Sequence, residues 1–315
     1  MAIDVPKVKY TGSIRQIPVG KGNKAFTVGG ESAYPFYFFE GDMPNKPRIA
    51  FEVLDSQPDD WADALAEVYK DVWNDPVAWS KKCIGEFNAD AIMLSLKSTD
   101  PNGANMGADE AAQIVKKVAD AIDVPLIIWG SGNADKDAEV LRKVAEVCEG
   151  KNLIIGPIVE ANHKTVGAGA IGFGHTVIAS TPIDVNLAKQ LNILLTQLGV
   201  QEDKIIIDPT TGAVGYGLEY SYSVMERIRM AALAQDDEKL AFPMINVLGN
   251  EVWKTKEAKI SKEEAPDMGD AKKRAILLEA VSAMLFLLAG SSILVLRHPE
   301  SAKLVREIIN ELTEG

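Results

Sequence analysis

This sequence predicts an α/β fold, a closed (β/α)8 (TIM) barrel with an N-terminal β-hairpin extension, and three observations predict it. Eight short runs, apolar throughout, recur from residue 48 onward; each ends in a polar or glycine-rich loop; a longer segment of helical period then follows. Strands that are apolar on both faces belong to parallel sheets covered by helices. Their alternation with helices gives parallel βαβ units, and eight such units close a barrel. An open doubly wound sheet is the competing arrangement. It would usually carry a phosphate loop after its first strand, and no strong motif of that kind follows this one.

Residues 1–47 stand outside the repeat. Segments 7–19 and 25–39 read as extended strands joined by Gly20-Lys21-Gly22-Asn23, a hairpin turn, so 1–47 form an arm that caps a barrel mouth or pairs with a partner. The barrel occupies 48–315. Its expected strands are 49–53, 91–96, 126–129, 153–155, 176–180, 205–207, 242–247 and 293–296. Between them, Pro58-Asp59-Asp60 opens a helical segment through Trp73, with early acids suited to the helix dipole. Residues 108–121 put Ala111, Ile114, Val115, Val118 and Ala121 on one stripe, and 134–148 do so with Val140, Leu141, Val144, Val147 and Cys148. Thr181-Pro182-Ile183-Asp184 starts a leucine-rich helix that Gly199 stops. The Lys- and Glu-rich stretch 254–270, with Pro266, reads as an exposed loop or short helix. Pro299 sits in the first turn of a last helix reaching about Leu312.

The most apolar stretch, 275–289, contains Glu279 and is shorter than the ~20 residues of a bilayer span, so a buried core helix is expected and no membrane segment. Met1-Ala2-Ile3-Asp4-Val5-Pro6 shows no signal-peptide pattern, and a cytoplasmic location follows. With 45 acidic against 33 basic residues the formal charge is -12, and no basic cluster is present that would hold nucleic acid. Only Cys83 and Cys148 occur. Two thiols cannot fill the four positions of a zinc or iron–sulfur site, and nothing favours a disulfide.

Function in such a barrel sits in the loops after each strand. Those loops hold Ser98, Thr99 and Asn102; Gly132 and Asn133; Thr181; Asp208, Thr210, Thr211 and Gly212; Asn246; and Arg297. Amides, hydroxyls and glycines dominate this set and charges are few, which suits a large neutral, amide-rich ligand. Each residue also has a plainer reading. Asp208 is a candidate acid or base but more often caps a helix or holds its loop. Ser98, Thr99 and Asn102 lie in ordinary turn chemistry, and the Gly132-Asn133 loop permits close backbone approach. Gly167-Ala168-Gly169-Ala170-Ile171-Gly172 spells GxGxxG, but it lies beyond its strand in a helical stretch, where glycine serves close packing. The three histidines share no ligand spacing; His298, beside Arg297, is the one expected at the rim.

Three longer strings carry a family resemblance. They are Asp208-Pro209-Thr210-Thr211-Gly212-Ala213-Val214-Gly215-Tyr216-Gly217-Leu218-Glu219-Tyr220-Ser221, Leu248-Gly249-Asn250-Glu251-Val252-Trp253-Lys254-Thr255-Lys256-Glu257, and Asp184-Val185-Asn186-Leu187-Ala188-Lys189-Gln190-Leu191-Asn192. Nearly the whole chain resembles the small subunit of the corrinoid iron–sulfur protein, also called the delta subunit of acetyl-CoA decarbonylase/synthase. The resemblance implies a TIM barrel paired with a large corrinoid iron–sulfur subunit. That pair would carry a methyl group on cobalt from a methyltetrahydrofolate-dependent methyltransferase to acetyl-CoA synthase. Large subunits of the family bring a cysteine-rich [4Fe–4S] module; with two cysteines, this chain reads as the small one. The cobalamin motif Asp-x-His-x-x-Gly is absent, since Ala161 stands two residues before His163 and Gly167 four after it. The expectation is therefore a corrinoid shared with the large subunit, the barrel rim covering one corrin face, with no catalytic acid or base and no metal ligand in this chain. The alternative is an autonomous pterin-binding barrel methyltransferase using Asp208 and Asn246.

Overall fold

The computed structural model describes residues 6–314; Met1–Val5, on which the signal-peptide reading rests, lie outside them. The eight barrel strands are β3 (Arg48–Leu54), β4 (Ala91–Ser95), β5 (Leu126–Trp129), β6 (Ile154–Ile158), β7 (Thr176–Ser180), β8 (Ile205–Asp208), β9 (Met244–Val247) and β10 (Ser291–Leu296). They pair in parallel in sequence order, and β10 closes on β3 with Ile293 opposite Arg48. The expected barrel is present. Boundaries move by one to three residues: β9 starts at Met244 rather than 242, β10 at Ser291 rather than 293, and β6 runs through Gly156-Pro157 to Ile158, so these two residues are strand rather than loop.

The helices are α1 (Asp63–Tyr69), α2 (Pro76–Phe87), α3 (Ala108–Ala121), α4 (Ala134–Val147), α5 (His163–Phe173), α6 (Val185–Leu198), α7 (Leu218–Ala234), α8 (Leu248–Val252), α9 (Lys256–Lys259), α10 (Ala271–Leu288) and α11 (Pro299–Glu314). Asp184 caps α6 by accepting from the amides of Asn186 and Leu187, and Gly199 ends it at φ 106°. Pro58 does not start a helix. Residues 58–62 stay in a loop at the barrel mouth, and Asp75 starts α2 by accepting from Val77 and Ala78. The glycines of the GxGxxG string lie on α5, where a Cβ at Gly167 would come within 2.7 Å of the Leu198 side chain. They serve helix packing.

Alternation along the strands sorts the core into two layers. Ala50, Ala91, Met93, Ile127, Ile154, Ile178, Ile206, Ile245, Val247, Ile293 and Val295 fill the barrel. Their neighbours, such as Phe51, Leu94, Ile155 and Leu294, pack outward beneath the helices. Ile17, Val19 and Val28 join the inner cluster. They come from the antiparallel pair β1 (Ile17–Val19) and β2 (Phe26–Val28). This hairpin sits at the amino ends of the strands, with the Arg48 guanidinium 5.0 Å over Phe26 and Asn152 Nδ2 donating to the Gly20 carbonyl at 2.8 Å. It plugs the barrel floor. Its strands are far shorter than 7–19 and 25–39, because Gly29 and Gly30 turn to positive φ and the amides of Tyr37 and Glu40 close turns on Tyr34 and Tyr37.

Candidate functional site

With the floor closed, the open end is the carboxyl one. The inward parity that puts Ala50 and Val295 in the core also points Glu52, Ser95, Ser180, Asp208 and Arg297 toward the lumen, one layer higher. These polar groups form two networks.

The first joins β3, β4 and β10. Glu52 accepts from Ser95 Oγ at 2.8 Å and from Arg297 Nε at 2.6 Å, with Glu52 1 % and Arg297 5 % exposed. Arg297 Nη2 donates to Asn250 Oδ1 at 3.1 Å, and the guanidinium lies 4.6 Å over the Trp61 ring. The Arg297 backbone is held as well. Its amide donates to Glu279 Oε1 at 2.8 Å, and its carbonyl accepts from Tyr69 at 2.5 Å. Glu279 Oε2 takes the next amide, that of His298, at 3.1 Å. Burial raises the Glu279 carboxyl above its usual range against these bonds. Arg297 Nη1 alone has no partner among the described residues.

Arg297 opens onto a cleft of about 600 Å³ at the ends of β3, β4, β9 and β10, lined also by Gln57, Asp59, Trp61, Lys97, Ser98, Asp100, Asn250, Trp253 and Lys254. The expectation of a nearly uncharged rim does not hold here. Residues 58–61, in the loop after β3, and Lys254, which follows α8, bring charged side chains to the mouth. Ser98, a candidate from the sequence, lines the cleft, but its amide and hydroxyl both donate to buried Asp55. Thr99 is fully buried and its hydroxyl donates to the Leu96 carbonyl. Asn102 is exposed on the same loop.

The second network joins β7, β8 and β9. Asp208 accepts from Ser180 Oγ at 2.5 Å and from the Thr210 amide at 3.1 Å. Burial pushes its carboxyl up to about 6 from 3.8, against the lowering effect of those bonds. Thr210 Oγ1 donates to the Thr181 carbonyl at 2.6 Å, and Ser221 Oγ bridges the Thr210 carbonyl and the Gly212 amide. Asn246 lies outside the lumen. Ile245 and Val247 face inward, so Asn246 points at α7, donating to Thr211 Oγ1 at 3.2 Å. Asp208 and Asn246 therefore sit on opposite sides of the sheet and do not converge on a pterin-sized ligand. Gly132 and Asn133 stand apart from both networks: the Gly132 amide donates to Asp137, and Asn133 caps α4 through the Lys136 amide.

His298 is not a rim residue. It is 1 % exposed, stacks on Trp253 at 5.7 Å, and accepts the Glu300 amide on Nδ1. Burial lowers its value to about 4. Glu52 and Ser95, inside strands, were missed by a search confined to strand-end loops, and Trp61 was missed because residues 58–73 were read as helical. A sequence signal for Glu52 exists, since it is the one charge inside the apolar run 49–54. Among the described residues no group of three or more His, Cys, Asp or Glu could hold a metal ion, and no helix is long and apolar enough to cross a membrane.

The family model described as CO dehydrogenase/acetyl-CoA synthase delta subunit matches residues 16–311. The chain belongs to this family. Acetyl-CoA decarbonylase/synthase complex subunit delta 1 of Methanosarcina thermophila is 38 % identical over 316 residues, covering 96 % of this chain and 72 % of the relative. The delta subunit of Methanocaldococcus jannaschii is 34 % identical, covering 98 % and 76 %. The resemblance carried by residues 184–192, 208–221 and 248–257 is thus borne out. Among solved structures, dihydropteroate synthase of Xanthomonas albilineans superposes with TM-score 0.59 over 95 % of this chain and 98 % of its own, at 14 % identity. That of Stenotrophomonas maltophilia gives 0.56 at 16 %, covering 85 % and 93 %. At such identity the likeness concerns the barrel alone. In this chain Asp208-Pro209-Thr210-Thr211-Gly212 is the β8 end and its loop, and Leu248-Gly249-Asn250 opens α8, which brings Asn250 to Arg297.

Proposed function

We propose that this chain is the small barrel subunit of a two-chain corrinoid iron–sulfur methyl carrier of the reductive acetyl-CoA pathway, and that its carboxyl-end mouth covers one face of a corrinoid held mainly by the large subunit. The observation that carries this reading is the mouth itself, a cleft of about 600 Å³ around a buried guanidinium whose Nη1 has no partner among the described residues. It is roomy enough for part of a large cofactor and rich in directed polar groups. Delta-subunit relatives named as members of an acetyl-CoA decarbonylase/synthase complex support the same reading over an autonomous pterin enzyme.

A corrinoid held there would supply the methyl-carrying chemistry. This chain's residues would orient the ring edge through Arg297 and Asn250, stack against it with Trp61, and exclude water from the reacting face. Asp208 takes the role of a loop holder, with both carboxylate oxygens already engaged. The partners of this reading are the large corrinoid iron–sulfur subunit, a methyltetrahydrofolate-dependent methyltransferase and acetyl-CoA synthase, in a cytoplasmic assembly. The iron–sulfur cluster belongs to the large subunit.

The test is a structure of the assembled pair with its corrinoid. Cobalt facing the Ser98, Asp208 and Arg297 loops is the expected result, and cobalt remote from them overturns the proposal. Equilibrium dialysis of the chain with methyltetrahydrofolate should detect no binding; retention would instead favour the pterin enzyme.

A further inference from the structure

We infer that the Arg297 cleft is a carboxamide socket, selective for uncharged amide arms over carboxylates. The inference rests on the proposed function and names what part of the corrinoid this wall would meet. Arg297 cannot turn to suit different ligands. Nε is fixed by Glu52, Nη2 by Asn250, and the guanidinium plane lies over Trp61, which leaves the Nη1 amino group as a donor set in a fixed place.

A guanidinium usually marks an anion site, but the charges here argue otherwise. Glu52, 2.6 Å from Arg297, cancels its charge at close range. Around the cleft, Asp59, Asp60 and Asp100 face Lys97, Lys254 and Arg297, three acids against three bases. Asp60 is engaged by Lys259 at 2.9 Å, and Lys254 by Glu251 at 2.5 Å. An incoming carboxylate would lose hydration and meet no net opposite charge in return. A primary carboxamide has one carbonyl acceptor and two N–H donors on one planar group. Its oxygen can take the Arg297 Nη1 proton, while its NH₂ donates to a carboxylate such as Asp59 or Asp100. A wall with both donors and acceptors and no net positive charge is complementary to that group. A corrin ring carries acetamide and propionamide arms around its edge.

The test is isothermal titration of the full chain with dicyanocobinamide, whose arms are amides, and with cobyrinic acid, whose arms are carboxylates. The wild-type chain should bind the amide form at least tenfold more tightly. The variant E52Q/R297M, which removes both charges together, should bind dicyanocobinamide at least tenfold more weakly while unfolding like the wild type. Equal affinity for the two corrinoids overturns the inference and leaves the proposed function standing, and this comparison needs no variant to fold. Unchanged affinity in a folded E52Q/R297M chain does the same. Binding of neither corrinoid to the chain alone overturns the inference and leaves the proposed function, in which the large subunit holds the corrinoid, to the structure of the pair.

Discussion

Replacing Arg297 with methionine strands Glu52 in the barrel. The carboxylate is 1 % exposed and would keep one partner, Ser95 Oγ at 2.8 Å. Removing one member of a buried pair costs about 3–5 kcal/mol, because the other charge stays buried without compensation. Losing the guanidinium stack on Trp61 removes about 0.5–2 kcal/mol more, partly offset by the apolar methionine stem. A net loss of about 3–5 kcal/mol is expected, a large part of the ~5–15 kcal/mol that holds a domain folded. Removing both charges in E52Q/R297M should return stability to within about 1.5 kcal/mol of the wild type, a coupling of at least about 2 kcal/mol. Urea unfolding at pH 7, followed by tryptophan fluorescence and circular dichroism together, measures both variants through their midpoints at constant slope. If R297M lies within about 1 kcal/mol of the wild type, or the double variant is no better than the single, Glu52 does not depend on Arg297 and the reasoning fails.

Asp208 and His298 titrate in opposite senses. The native Asp208 carboxyl, at about 6 against 3.8, binds its proton more tightly than the unfolded chain does, so stability falls as pH rises from about 4 to 6, by roughly 3 kcal/mol. Asp208→Asn should remove that slope, gain about 1–3 kcal/mol at pH 7, and keep methyl transfer within about tenfold, or ~1.4 kcal/mol. A thousandfold loss in a folded variant would return Asp208 to the catalytic candidates. Native His298, at about 4 against 6.5, gives stability that is present above 6.5 and lost as pH falls toward 4, again roughly 3 kcal/mol. His298→Gln should flatten this acid limb in denaturation curves taken between those values, and an unchanged limb would show that another group governs it. Gly212→Ala would put a Cβ 2.5 Å from the Gly217 backbone carbon, so the 212–217 loop must open. A loss of about 1–3 kcal/mol is expected with faster amide exchange in that loop, and wild-type exchange there would contradict the contact.

Local pattern determined most of the architecture. Apolar runs such as 126–129 and 176–180 became strands with those bounds, because a strand covered on both faces is apolar over most of its length. The striped helix at 108–121 and the Asp184 and Gly199 boundaries followed for equally local reasons. The family strings carried the identity, and Ser98, Asp208 and Arg297 were correctly placed at strand ends. What the sequence left undecided was direction and company. Asn246 differs from Asp208 only in strand parity, and one step in register turns a lumen residue into a helix-facing one. His298 sits beside Arg297 in the chain, yet one enters a cleft and the other stacks beneath Trp253. The Glu52–Arg297 pair spans 245 residues, and Asn250 reaches it from α8 and Trp61 from the loop before α1. Hydrogen bonds and ion pairs act over a few ångströms in space, whatever the separation along the chain, so only closure of the barrel brings these groups together.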